Sequence, residues 1–461
     1  MKIKNNAILL SSLLLLAGLA HSGIAVSQAS AATLTLVESV PEETGYGSKF
    51  TSRPQKVWLD MVNNAKKSLD FEEYYITNED GEALEPIVDA IKAAISRGVK
   101  VRFLAGPTGS MMKDTRKTLN ELKKAGAETT MIDFGKAYKG GVQHSKFFIA
   151  DGSSVYVGSQ NFDWRSLSQI HEVGVKIDSV NAAKDFGIIF EDDWAIAKLQ
   201  EGNKKETRGL SKEEKSKITE EMKPRALALI KNKKASKPIT AKNPENAMLN
   251  GKQVKYSLAF GPVGFVNDGF DTELDAILSI INGAKKTLSG QVMTYHLDEY
   301  GSGRWEVLDK AFRAAGERGV TVNLVFADWT MGKKKADADI KSLAKAKNVN
   351  IKIASLKENS KGCIQFARVQ HSKYLTADGE KSYISTSNWG PTYFTTTRNA
   401  AVIIYGQEGG RVLEDVFGKI WNGPYVQTVD QDKDYSPVDR TCRYAKKDDS
   451  QQKKEESQEK K

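Results

Sequence analysis

Residues 142–165 read VQHSKFFIADGSSVYVGSQNFDWR, and the pentapeptide VQHSK returns 227 residues further along the chain, at 369–373. The second passage, 369–390, reads VQHSKYLTADGEKSYISTSNWG. Two of only five histidines therefore stand in identical five-residue settings. The repetition indicates either a duplicated fold in which each copy keeps a buried histidine, or two half-sites that meet to do chemistry.

Other repeated segments lie around these two passages, in the same order along the chain. Residues 64–69, NAKKSL, resemble residues 283–288, GAKKTL, and residues 97–101, RGVKV, resemble residues 318–322, RGVTV. Long repeats of this kind are the sequence signature of a duplicated unit. The chain therefore consists of two homologous halves.

Within each half, helical and strand patterns alternate. Residues 87–95 carry apolar side chains at helical spacing and end at Arg97-Gly98, where glycine is a helix-stop signal, and 99–104 follow as a strand. Residues 307–315 and 320–326 repeat this pattern, and Asp151-Gly152 separates two apolar runs as a hairpin turn. The expected fold class is α/β, with a mixed sheet flanked by helices in each half.

The composition divides the chain into five segments. Lys2 and Lys4, then an apolar run and Ala29-Ser30-Ala31, have the order of a secretory signal, with an uncleaved anchor as the alternative. We expect a signal peptide at 1–31, a first half at 32–200, a charged linker or insertion at 201–250, a second half at 251–443 and a disordered tail at 444–461. The mature protein would then be exported from a bacterial cytoplasm, to the periplasm or outside the cell, with no stable membrane span.

The net charge bears on the partner of the protein, and the two cysteines bear on its compartment. The formal charge of +10 favours an anionic partner, either nucleic acid or an acidic lipid surface. In an oxidising compartment Cys363 and Cys442 could form one disulfide, and two free buried thiols are the alternative. Two cysteines without further ligand spacing do not make a zinc site.

The repeated motif carries the same chemistry in both halves. Four residues stand at relative positions 0, +2, +7 and +17, namely His144, Lys146, Asp151 and Asn161 in the first copy and His371, Lys373, Asp378 and Asn388 in the second. Residues i and i+2 of a strand share a face, so each histidine projects beside its lysine. Two lysines and two amides suit the oxygens of a phosphodiester, and two histidines can serve as nucleophile and general acid without a metal or other cofactor. Each aspartate lies in a turn, where a carboxylate caps backbone amides, and is expected to be structural.

The pattern HxKxxxxDx6GSxN, present twice, resembles the phospholipase D superfamily with its two HKD motifs. The second copy departs from it at 385–388, where STSN replaces GSQN. Residues 158–167 and 171–175 are similar to the first motif of the animal lysosomal phospholipase-D-like 5′ exonucleases, and 367–371, 387–389 and 393–395 are similar to their second motif. The resemblance covers about residues 50–200 and 255–443.

The resemblance implies a two-step reaction at the interface between the halves. One histidine attacks phosphorus to give a phosphohistidine and the other protonates the leaving oxygen; by analogy His144 is the nucleophile and His371 the acid, with the reverse order open. Glu172 fits the downstream acid of the family, and Asn399 stands at the same distance from His371. If these supports cross between halves, Glu172 serves His371 and Asn399 serves His144.

Some further residues beside the motifs are candidates for binding or support. Ser159 and Thr386 are expected to bind substrate next to the asparagines, and Phe162 and Trp389 either stack on a base or pack behind the motif. His296 stands at the end of the predicted strand 291–295 and either faces the cleft or lies in the core, of which the core is preferred. His171 is expected to be incidental.

The function expected from these residues is an exported, metal-independent phosphodiesterase, most simply an exonuclease of single-stranded nucleic acid. A phospholipase D or transphosphatidylase acting on phospholipids is the alternative, because the motif recognises the phosphodiester and not its substituents. A non-catalytic envelope-organising protein on the same scaffold is a third reading. The expected partner is the phosphodiester substrate, and a homodimer stays open.

Overall fold

The computed structural model describes residues 31–206, 209–231, 236–299 and 303–442. The expected signal peptide, apart from residue 31, and the expected disordered tail lie outside these ranges. Within them, no helix is both long and apolar enough to cross a membrane.

The first half is an alternation of strands and helices. Its strands are β1 (Ala32–Ser39), β2 (Ser68–Glu73), β3 (Ile76–Thr77), β4 (Lys100–Ala105), β5 (Glu128–Met131), β6 (Phe147–Ala150), β7 (Ser154–Gly158), β8 (Phe162–Asp163) and β9 (Glu172–Asp178). Its helices are α1 (Pro54–Asn64), α2 (Glu85–Ser96), α3 (Met112–Ala125), α4 (Phe134–Ala137), α5 (Trp164–Ser168) and α6 (Val180–Glu206). Helix α7 (Lys212–Lys231) and strand β10 (Glu245–Leu249) then connect the halves.

The second half repeats the alternation. Its strands are β11 (Lys252–Gly261), β12 (Asp271–Thr272), β13 (Thr287–Val292), β14 (Asp298–Glu299), β15 (Gly303–Arg304), β16 (Thr321–Ala327), β17 (Val349–Ala354), β18 (Tyr374–Ala377), β19 (Lys381–Ser385), β20 (Asn399–Tyr405) and β21 (Val426–Thr428). Its helices are α8 (Glu273–Gly283), α9 (Val307–Glu317), a 3₁₀ turn (Asp328–Thr330), α10 (Lys334–Ala344), α11 (Pro391–Thr395) and α12 (Gln407–Trp421).

The two halves have the same sheet topology. The strands pair in the order β5-β4-β2-β6-β7-β9 in the first half and β17-β16-β13-β18-β19-β20 in the second. In each sheet the first three strands are parallel to one another and the last three are added antiparallel. The prediction of two homologous mixed sheets flanked by helices is confirmed.

Regular secondary structure extends into both ends of the expected linker, 201–250. Helix α6 continues past residue 200 to Glu206, and β10 is a full member of the sheet, parallel to β1 and antiparallel to β11. Since β1 also pairs with β9 and β11 with β20, this strand joins the sheets of the two halves. Helix α7 buries Met222, Ala226 and Ile230, which recur at a spacing of four residues and form one face.

The motif aspartates hold each hairpin turn against the neighbouring strand. Asp151 and Asp378 have φ of 54° and 57° in the turns that join β6 to β7 and β18 to β19. The Asp151 carboxylate accepts backbone N–H groups from residues 66–68, and Asp378 accepts those of residues 285–287. A carboxylate can satisfy several donors at once, so each aspartate fixes the start of β2 or β13 relative to the motif.

Cys363 and Cys442 form a disulfide, which resolves the two alternatives left by the sequence. The bond ties the loop before His371 to the C-terminal segment. The backbone N–H of Phe366 donates to the carbonyl of Arg440 at 2.6 Å beside it. The disulfide therefore holds the loop that precedes the second motif against the C-terminal segment.

Replacing both cysteines with serine is expected to lower the free energy of unfolding by about 2–4 kcal/mol, because a closed loop of this length restricts the unfolded chain. The two cysteines are separated by 79 residues. Urea denaturation of the wild type, each single variant and the double variant checks this expectation. The wild type in dithiothreitol should match the double variant, and an unchanged midpoint in all of them would contradict it.

Candidate active site

The two motif segments are each joined by backbone hydrogen bonds to the opposite half. The N–H of His144 donates to the carbonyl of Arg398 at 3.0 Å, and the N–H of His371 donates to the carbonyl of His171 at 2.9 Å. The next residue after Arg398 is Asn399, and the next after His171 is Glu172. This crossed ladder brings each downstream residue to the histidine of the other half.

Asn399 fixes the tautomer of His144. Its Oδ1 lies 3.0 Å from Nδ1 of the ring and also accepts the hydroxyl of Thr386 at 2.8 Å. Its Nδ2 donates to the carbonyl of Tyr393 at 3.0 Å, so the carboxamide has one orientation. Because an oxygen faces Nδ1, that nitrogen carries the proton, and Nε2 of His144 has a free lone pair.

His371 has an acidic partner in the same position. Its Nδ1 is hydrogen-bonded to Oε1 of Glu172, a residue with no solvent exposure. Burial raises the pKa of Glu172 well above its usual range, while the charges of Lys373 and Lys146 act in the opposite direction. The two histidines thus differ in one respect, since an ionisable carboxyl group supports His371 and a neutral amide supports His144.

The motif lysines are buried beside the rings. Nζ of Lys146 donates to the carbonyl of His144 at 2.5 Å, and Nζ of Lys373 donates to the carbonyl of His371 at 2.5 Å. Burial lowers the pKa of Lys373 to about 7. Burial and the charge of Lys373 hold the pKa of Lys146 well below its usual range. An incoming phosphate favours the ammonium form of both lysines, so the pair is well placed to bind an anion.

Burial and the two lysines also act on the histidines. The pKa of His144 is lowered well below its usual range by burial and by Lys146 and Lys373. The pKa of His371 is lowered in the same way, by burial first and then by Lys373 and Lys146. Both rings are therefore neutral at neutral pH before substrate binds, and an incoming phosphate raises their affinity for a proton.

The two rings open into one cavity of about 700 Å³, which Asn161 and Asn388 also line. Nδ2 of Asn161 donates to the hydroxyl of Tyr75 at 3.3 Å. Oδ1 of Asn388 has no hydrogen-bond partner within the described ranges. The sequence indicated the asparagines and, through the resemblance, the segment that contains Tyr393. It gave no sign that the rings of Tyr74 and Tyr393 lie 4.7 and 5.2 Å from the ring of His144.

Of the two alternatives for Phe162 and Trp389, the structure shows packing behind the motif and not exposure to a base. Neither side chain has any solvent exposure, and neither lines the cavity. Phe162 stacks on Trp58 with ring centroids 5.0 Å apart, and Trp389 packs on Phe312 at 5.4 Å. The strand pairing next to each motif turns these rings into the cores of their own halves.

Ser159 and Thr386 do not reach the cavity either. The hydroxyl of Ser159 bonds to the backbone of Val173, and that of Thr386 accepts the N–H of Ala400 while donating to Asn399. The expected role of these hydroxyls in direct substrate binding is wrong. They position β9 and β20, which carry the partners of the histidines.

His296 and His171 lie in surroundings that differ from those expected from the sequence. His296 lines the cavity, because β13 ends at Val292 and the chain then turns towards the site. His171 is fully buried, with Nε2 3.0 Å from Oε1 of Glu38 and Nδ1 2.7 Å from Nε2 of Gln370. It is not incidental, since its carbonyl anchors His371 as that of Arg398 anchors His144.

Comparison with known proteins agrees with this geometry. The family model described as cardiolipin synthase, PLD-like domain, matches residues 58–194 and 277–421. The chain is 30% identical over 409 residues to phospholipase D Z of Dictyostelium discoideum, covering 85% of this chain and 90% of that protein. It is 30% identical over 434 residues to the 5′-3′ exonuclease PLD3 of Rattus norvegicus, covering 88% of this chain and 82% of that one.

A solved structure shares the fold. The phosphatidylserine synthase of Haemophilus influenzae matches with a TM-score of 0.56 at 13% identity, over 81% of this chain and 85% of that one. The chain belongs to the phospholipase D superfamily, a superfamily of phosphodiesterases, with one PLD-like domain in each half.

Proposed function

We propose that this chain is an exported phosphodiesterase that removes nucleotides from an end of single-stranded nucleic acid, through a phosphohistidine and without a metal ion. The observation that carries the proposal is the pair of histidines in one cavity, each with a different Nδ1 partner. Two chemically distinct imidazoles are what a nucleophile and a general acid require.

In the first step Nε2 of His144 attacks phosphorus, and the bond from phosphorus to the leaving oxygen breaks. His371, which gains a proton when the anionic substrate binds, transfers it from Nε2 to that oxygen. The carboxylate of Glu172 stabilises the imidazolium until then. Lys146, Lys373 and the asparagine amides bind the other phosphate oxygens as negative charge redistributes.

In the second step His371, now neutral, takes a proton from a water molecule. The water oxygen forms a bond to phosphorus, and the bond from phosphorus to Nε2 of His144 breaks. When the product phosphate leaves, His371 releases this proton to solvent, and both imidazoles return to the neutral state.

Two findings favour nucleic acid over lipid. The large apolar side chains that the structure describes as exposed are four valines, Val142, Val180, Val263 and Val438, which offer little apolar surface to a membrane. One relative over most of the chain is named as an exonuclease. The names of the Dictyostelium and Haemophilus proteins support the lipid alternative, a phospholipase D or transphosphatidylase.

Export is supported by the disulfide between Cys363 and Cys442, because such bonds persist in oxidising compartments. The proposed location is the periplasm or the exterior of a bacterium. Fractionation of cells that express the full chain, with a non-reducing gel to follow the disulfide, tests it.

The test of the activity uses end-labelled single-stranded oligonucleotides and phosphatidylcholine vesicles in parallel. In excess EDTA we expect mononucleotides to be released one by one from the oligonucleotide, with no choline from the vesicles. Choline release without nucleotides would establish the lipid alternative. Activity lost in EDTA and restored by a divalent ion would overturn the metal-independent mechanism.

The pH dependence of kcat/KM should report the titration of Lys373. Because the pKa of Lys373 is lowered to about 7, its ammonium form is present below that pH and is lost above it. We expect kcat/KM for bis(p-nitrophenyl) phosphate, whose leaving group needs no acid, to fall as pH rises above about 7. Lys373→Arg, which stays charged, should move this fall to higher pH. A profile that stays flat into the alkaline range would contradict the assignment.

A further inference from the structure

The two halves differ at the second residue after the motif asparagine. In the first half this residue is Asp163, whose carboxylate binds the guanidinium of Arg165 and accepts the hydroxyl of Tyr75 at 2.9 Å. In the second half the equivalent residue is Gly390. The second half therefore has no side chain at the place where the first half has a buried carboxylate.

The ring of His296 occupies that space. A Cβ atom on Gly390 would lie 2.4 Å from Nε2 of His296, so the glycine makes room for the imidazole. The backbone N–H of His296 donates to the carbonyl of Trp389, which holds the ring beside the motif. His296 stands at the position of Thr77 in the first half, so the imidazole is a feature of the second half alone.

A lysine lies near this ring on the loop before α10. Residues 328–333 read DWTMGK and end in Lys333, which lines the same cavity as His296. The equivalent loop before α3, residues 106–111, reads GPTGSM and has no cation. Lys335 and Asp298 also line the cavity, and their opposite charges pair at 3.3 Å. Beyond the catalytic groups, the basic side of the cavity belongs to the second half.

We propose that His296 and Lys333 form a subsite for a second phosphate of the substrate, the one adjacent to the scissile phosphate. This inference rests on the proposed function and sharpens it, because a nucleic acid strand carries such a phosphate and phosphatidylcholine does not. Burial lowers the pKa of His296, while a hydrogen bond with the backbone of Asp298 and the charge of that residue act in the opposite direction. In the subsite the ring supplies a polar surface, and Lys333 supplies the positive charge.

The test compares two substrates with the same scissile bond. Thymidylyl-thymidine has only the scissile phosphate, whereas the trinucleotide with two phosphates also has its neighbour. We expect His296→Ala and Lys333→Ala each to lower the ratio of kcat/KM, trinucleotide over dinucleotide, by about tenfold, mainly through KM. Gly390→Ala should lower the ratio as well, because its methyl group displaces the ring.

Lys334→Ala is the matched control, since Lys334 is exposed next to Lys333 and does not line the cavity. Its ratio should equal that of the wild type. Equal losses on both substrates, or an unchanged ratio in His296→Ala and Lys333→Ala, would overturn the subsite while nucleic acid cleavage stands. A wild type that cleaves neither nucleotide but releases choline would overturn the proposed function, and the subsite with it. If His296→Ala does not fold, Lys333→Ala and His296→Gln decide the question.

Discussion

Replacing His144 with alanine is expected to lower turnover of a single-stranded oligonucleotide by about 10⁴-fold, because no nucleophile remains to attack phosphorus. The lone pair on Nε2 exists because Asn399 presents an oxygen to Nδ1. His371→Ala should cost a similar factor on the oligonucleotide. The two variants should give different kinetics on a substrate whose leaving group needs no proton.

Bis(p-nitrophenyl) phosphate separates the roles. With His371→Ala we expect a burst of one nitrophenolate per enzyme molecule followed by very slow turnover, because the phosphohistidine on His144 forms but has no base to help its hydrolysis. Mass spectrometry of the acid-sensitive adduct should place it on His144. With His144→Ala no burst is expected. A burst in His144→Ala, with the adduct on His371, would show that the assignment is reversed.

The parts of the fold that are local in sequence could be predicted. The helix stop at Gly98, which has φ of 89°, and the hairpin at Asp151-Gly152 depend on residues next to one another. The duplication was also visible, because the landmarks of each half recur in order. The histidines, lysines and asparagines of the motif followed from the same repetition, and the structure brings both histidines and both asparagines to one cavity.

What could not be predicted depends on contacts between distant segments. The composition of 201–250 hides β10, a short strand whose place is fixed by β1, far away in the chain. His171 is recognisable only through the ladder that joins the halves, in which it matches Arg398. Phe162 and Trp389 stand beside the motif, but a sequence does not show which side of so short a strand or bridge is turned inward.

The second large effect concerns Glu172 of the first half, which supports His371 of the second half. Glu172→Gln is expected to lower turnover of an oligonucleotide by about 10²- to 10³-fold while leaving the fold intact. The amide oxygen of glutamine can still accept the proton on Nδ1 of His371, so the ring orientation is kept. What is lost is the negative charge that stabilises the imidazolium, and with it the supply of a proton to the leaving oxygen.

The same reasoning predicts that the loss depends on the leaving group. Glu172→Gln should reduce the initial burst on bis(p-nitrophenyl) phosphate much less than turnover of the oligonucleotide, because nitrophenolate leaves without a proton. Asn399→Asp is the complementary variant: a carboxylate beside His144 favours its protonated form, which has no lone pair on Nε2, so the acidic limb of the kcat/KM profile should move to higher pH. Equal losses on both substrates for Glu172→Gln, together with an unmoved limb for Asn399→Asp, would show that these residues only hold the rings in place. If the predicted split is found, the difference between Glu172 and Asn399 is what gives two histidines in identical sequence settings different roles.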